Sequence, residues 1–121
     1  MPRDYTNIRA WKLIDELVLE VYRLTRSFPE DERYGLTSQL RRAMVSAAGN
    51  IVEGSGRKTD NDYLQFLYVS LSSLKEAEYY LAIAERLGYC KAGTNFKTKF
   101  SLALRTLRAL INYINSHRRE S

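Results

Sequence analysis

The chain has 121 residues, of which 45% are hydrophobic and 27% charged, and a formal net charge of +5. That size suits one domain with a core of its own, yet small enough to gain from self-association. The lone cysteine, Cys90, excludes an internal disulfide and suits a reducing cytoplasm, and no apolar run approaches a membrane span or secretory leader.

Hydrophobic periodicity predicts a first helix over residues 5–27. Ile8, Trp11, Ile14, Leu17, Val18, Val21, Tyr22, Leu24 and Phe28 cover more than half its circumference, leaving Lys12, Glu16, Glu20 and Arg23 as the wet face. An isolated bundle helix needs a narrower apolar stripe, so the surplus points to contact with another subunit. Pro29 breaks the pattern and a charged connector follows.

A second helix is expected over 36–54. Leu36, Leu40, Ala43, Met44, Ala47 and Ile51 form its core stripe, while Gln39, Arg42, Ser46, Gly49 and Glu53 form a second, polar and small face. Ala43, Ala47, Ala48 and Gly49 remove side-chain bulk, so a neighbouring backbone is expected to come close, with Gly49 at the contact. Gly54-Ser55-Gly56 supplies the stop, and Arg57 and Lys58 follow at the negative end of the helix dipole.

The third helix is predicted over 60–88, with Thr59 as N-cap and Asp62 three residues on. Tyr63, Phe66, Leu67, Leu71, Leu74, Ala77, Leu81 and Ala84 make its core stripe. Glu78 falls inside that stripe, where a carboxylate needs a partner; Arg41 or Arg42 is the expected one. Gln39, Arg41, Arg42, Asn50, Glu53 and Glu78 are thus grouped as a structural polar cluster. Tyr68, Tyr79, Tyr80 and Ile83 lie off the core, where aromatic rings suit a subunit contact or stacking on bases.

The fourth helix is predicted over 95–117, capped by Thr94 or Asn95. Phe96, Phe100, Leu104, Leu107, Leu110, Ile111 and Ile114 face the core, and Leu102 and Tyr113 widen the arc. The remainder is a polar stripe of Lys97, Ser101, Arg105, Arg108, Asn112, Asn115 and Arg119, all within about 80° of one another on a 3.6-residue wheel. Residues 91–121 carry seven Lys or Arg against one acid, a balance of +6, whereas the first ninety residues balance at −1. Cations alternating with amides and a hydroxyl match a phosphate backbone, which asks for charge and donors but no sequence code. A solvated helix face is the competing explanation. Four amphipathic segments with short connectors predict an all-α, antiparallel up-down-up-down four-helix bundle.

No pattern for chemistry stands out. His117 lies close to the end of the sequence, the Glu-x-x-His pairs of di-iron bundles are absent, and no metal or other cofactor is expected. The glycine-rich GNIVEGSGRKT follows a helix and not a strand, unlike a phosphate-cradling loop. A packed thiol is the expected role of Cys90.

The segment RYGLTSQLRRAMVSAAGNIVEGSGRK closely resembles the signature of the bacterial 23S ribosomal RNA intervening-sequence protein family. The resemblance continues through AWKLIDELVLEVYRLTRSFPEDE upstream and DYLQFLYVSLSSLKEAEYYLAIAERLGY downstream. It implies a small antiparallel four-helix bundle, commonly a homopentamer. Accessory proteins of diversity-generating retroelements are similar too; these are basic pentamers that bind nucleic acid and a reverse transcriptase. Fold transfers along such a resemblance better than function.

Two functional classes follow. One is a non-enzymatic, basic, oligomeric scaffold that binds RNA or DNA through Lys97, Lys99, Arg105, Arg108 and Arg119, with Arg57 and Lys58 as a second cluster, and assists a nucleic-acid enzyme. The other is a purely protein-binding homo-oligomer whose basic helix meets an acidic partner. Both place the protein in the cytoplasm, away from membranes.

Overall fold

Every regular element in the computed structural model, which describes residues 3–118, is helical. The four long helices are α1 (Arg9–Leu24), α2 (Leu36–Ser55), α3 (Asp60–Arg86) and α4 (Thr94–His117). Short 3-10 turns at Tyr5–Asn7 and Thr25–Ser27 replace the ends expected of one continuous first helix, and a third, Glu30–Glu32, lies in the connector to α2. Ile8 is extended (φ −83°, ψ 113°), because Asp4 caps the Tyr5–Asn7 turn through the Thr6 amide and restarts the chain there. At the far end Thr25, 3% exposed, returns its hydroxyl to the Val21 carbonyl at 2.8 Å, and the helix tightens before Pro29.

The relative directions of the helices are legible from cross-helix pairs. Ser70 of α3 donates to the Ala47 carbonyl, Ser73 meets Ser46, and Gly54 lies against Phe66, so α2 and α3 run in opposite directions. Arg41 reaches back to Tyr22 and Thr25, Glu85 meets Lys97 while Tyr68 meets Asn115, and Lys99 meets Glu16 and Glu20. Each helix packs against its two neighbours in chain order, α1 closing the ring on α4.

Helix ends follow from local chemistry. Thr59 Oγ1 accepts from the Asp62 amide at 3.1 Å, with Asp60 and Asp62 in the dipole-favoured first turn of α3. Helix α3 stops at Arg86, where Gly88 takes φ +77° and the Tyr89 amide bonds the Ala84 carbonyl, so Tyr89 turns its ring onto Phe28. Helix α2 has no side-chain cap from Gly35; Glu32 takes that place by accepting from the Leu36 amide at 3.1 Å. Neither Thr94 nor Asn95 caps α4. Gly93 holds the cap position, and Thr94 is already the first helical residue.

The core is built from Ile14, Leu17 and Val21 on α1, Leu40, Met44 and Ile51 on α2, Leu64, Leu67 and Leu74 on α3, and Leu104 and Leu107 on α4. The expected close approach to α2 is present, but not at Gly49. A Cβ at Gly49 would meet nothing within 4 Å, because that position has rotated to the outside. Contact is made one turn on, at Gly54, where a Cβ would sit 2.7 Å from Phe66 Cβ and 3.0 Å from Tyr63 Cδ1.

Candidate nucleic-acid interface

Helix α4 buries Phe100, Ala103, Leu104, Leu107, Ile111 and Ile114, and that choice fixes what faces outward. Lys97, Ser101, Arg105, Arg108, Asn112 and Asn115 are all exposed along one side. Arg105 and Arg108 lie in the middle of this row, and among the described residues neither has a carboxylate within ion-pair distance. Asn115 donates to the Tyr68 hydroxyl at 2.9 Å, and Arg118 donates to Asn61 Oδ1 at 2.7 Å, tying the end of the row to α3. Asn61 is three residues beyond Lys58, so the row runs to the bundle end that carries the exposed Lys58.

Three of the other cations predicted for this interface, Lys97, Lys99 and Arg57, lie against carboxylates. Lys97 faces Glu85 at 3.4 Å. Lys99 lies on the opposite flank of α4, half-buried against α1, with Glu20 Oε2 at 3.2 Å and Glu16 Oε2 at 3.9 Å. The lysine is close enough to neutralise Glu20 Oε2 without the alignment of a hydrogen bond. Arg57 pairs with Glu53 at 2.7 Å and lies 4.5 Å above the Phe66 ring. Arg119 lies outside the described residues. Arg118 escaped the sequence reading although it sits beside Arg119; the partner that locates it, Asn61, is 57 residues away in the chain.

The proposed polar cluster does not assemble. Arg41 turns toward α1, donating to Thr25 Oγ1 at 2.8 Å and covering the Tyr22 ring. Glu53 belongs to Arg57. Glu78 is exposed and pairs with Lys75 at 2.9 Å, because α3 and α4 part there around a groove of about 290 Å³ that leaves the carboxylate wet. Asn50 binds the Ser46 carbonyl and hydroxyl, and Ser46 meets Ser73 at 2.8 Å. Gln39 and Arg42 line a notch of about 180 Å³ above that serine pair.

Among the described residues no three of His, Cys, Asp and Glu group as metal ligands would. Burial, with Glu85 adding to it, pushes the Cys90 thiol above its ordinary range, which disfavours the reactive thiolate. The Tyr89 phenol is also raised, chiefly because it donates to Glu32 at 2.9 Å.

The helix order, the short connectors and the sequence signature in α2 converge with the comparisons. A profile of the 23S rRNA-intervening sequence protein family matches residues 6–112. The chain belongs to that family. A solved structure from the S23 ribosomal protein family of Bacteroides thetaiotaomicron, described as a protein with unknown function, has the same fold at a TM-score of 0.74. The two are 18% identical, and the match covers 85% of this chain and 95% of the other. No curated protein matches the sequence significantly. Among the described residues no helix is long and apolar enough to cross a membrane.

Proposed function

We propose that this family member is a non-enzymatic, basic, self-associating scaffold that holds RNA or DNA by its backbone phosphates. The observation that carries the reading is the row on α4: Arg105 and Arg108, exposed and without carboxylate partners among the described residues, flanked by Ser101, Asn112 and Asn115 and continued by Arg118. Unpaired guanidiniums release counterions on meeting phosphates, and hydroxyl and amide neighbours donate to phosphate oxygens without reading sequence. Lys58 and the paired Arg57 extend the same field.

Self-association is supported by a separate face. Leu19 on α1 and Val45 on α2 are 52% and 47% exposed, and a Cβ at Gly49 would meet only open space. A second copy seated there covers apolar area that a monomer leaves wet. The pentameric number follows from the family resemblance. A ring would repeat the arginine row and turn weak contacts into avidity, in the cytoplasm and in company with a nucleic-acid enzyme such as a reverse transcriptase.

Sedimentation equilibrium tests the assembly; a 14.1 kDa monomer at micromolar concentration would refute it. Filter binding across a salt series tests the interface. Arg105→Gln with Arg108→Gln and Arg118→Gln removes up to three phosphate contacts per chain, so the log–log salt slope should fall by roughly 2–3. Equal, weak binding of wild type and variant at low salt would make the row a solvated face. The acidic-protein reading would then lead.

A further inference from the structure

Where the end of α4 crosses the start of α3, the surface opens into a groove of about 390 Å³ with mostly apolar walls. Leu110 and Ile114 lie along it, and one wall is a pair of stacked rings: Tyr113 and His117, centroids 4.1 Å apart and 19° from parallel. His117 Nδ1 lies 2.9 Å from the Tyr113 carbonyl, which only accepts, so Nδ1 is the donor there and Nε2 remains for other partners. The groove is also lined by the Arg3–Asp60 ion pair and by Tyr63, with the Arg3 guanidinium 4.0 Å above the Tyr63 ring. Aromatic surface, an apolar floor and a few acceptors at the edge suit a flat heteroaromatic ring that carries N–H donors.

We infer that this groove takes one unstacked nucleobase, making the protein selective for single-stranded nucleic acid over duplex. The inference rests on the phosphate-binding reading of α4, and the geometry links the two. Arg118, which ends the arginine row, follows His117 directly and is held by Asn61, the neighbour of Asp60. The row and the groove lie on opposite flanks of one helix end, about 10–12 Å across with its side chains, a span that a flexible single strand crosses. A base inside a duplex is stacked and paired, so it cannot enter without paying for its extrusion. An exposed ring pair at the end of a phosphate track is how strand-tolerant binding proteins gain from every base.

Fluorescence anisotropy with single strands and duplexes of equal length, some carrying 2-aminopurine, tests the inference. Tyr113 is 61% exposed, so Tyr113→Ala leaves the fold intact, which circular dichroism checks. The variant should lose roughly five- to a hundredfold in single-strand affinity, the usual worth of one stacked base. Duplex affinity and the salt slope should hold, 2-aminopurine quenching should disappear, and Tyr113→Phe should restore both affinity and quenching. The Arg105→Gln, Arg108→Gln variant should instead weaken both probes. If it does so while Tyr113→Ala changes nothing, or if wild type prefers duplex, the base site is overturned and the phosphate reading stands. If wild type binds no probe at low salt, both fall.

Discussion

The α2–α3 seam and the outer face of α4 are both polar, yet polarity serves opposite ends in them. In the seam the polar groups are short and inward. Ser70 is 0% exposed and gives its proton to the Ala47 carbonyl at 2.6 Å, Ser73 is 7% exposed against Ser46, and Gly54 leaves no room for a Cβ. On α4 they are long, charged and outward, and the central two have no carboxylate to answer them among the described residues. Small polar residues let two backbones approach and spend their hydrogen bonds on each other. Long cations held apart by helical spacing stay available to something that is not the bundle. The same residue classes therefore mark architecture in one place and a surface for binding in the other.

The sharpest way to break this comparison is to fill the seam. Gly54→Leu should destabilise by at least the usual overpacking cost of about 1–3 kcal/mol, since backbone and ring lie where its side chain must go. Gly49→Ala is the control. With open space above it, it should gain about 0.5–1 kcal/mol from helix propensity. Urea denaturation of both variants decides the matter, and similar midpoints would mean that the seam is not where the helices meet.

A smaller effect is expected one turn along. Ser70→Ala removes a hydrogen bond that is wholly buried and leaves little cavity, so stability should fall by about 0.5–1.5 kcal/mol. Ser72→Ala, two residues away on the exposed side of α3, should stay within about 0.5 kcal/mol of wild type. Equal changes in the two variants would show that the bond to Ala47 contributes nothing beyond what an exposed helical serine does.

How these regions read from sequence differed for physical reasons. The helices and the core stripes were visible because burial repeats every 3.6 residues, and Thr59 was visible as a cap because capping is local. The position of the close approach was not, because Gly49 and Gly54 are equally small and only the rotation of α2 against α3 separates them. Glu78 misled because an ideal wheel places it between Leu74 and Leu81; whether that line is covered depends on how far α3 and α4 part. Among the cations, sequence supplies the charge but not the partner. Lys99 and Arg105 look alike in the chain, yet one lies between two glutamates of α1 and the other faces out.

That last contrast gives the smallest effect, and the one on which the functional reading most depends. Arg105→Gln with Arg108→Gln should leave the urea midpoint within about 0.5 kcal/mol of wild type, because exposed side chains without partners contribute little to folding. Lys99→Gln instead strips the nearest cation from Glu20 and Glu16, so a loss of up to about 1 kcal/mol is expected, the ceiling for pairs this exposed. The lysine's contribution should shrink with added salt, while the arginine pair should show no such trend in stability. A loss above 1 kcal/mol for the arginine double variant would mean that these side chains pack on the bundle. The row would then belong with the seam, as architecture, and the case for a surface kept open to phosphates would lose its main support.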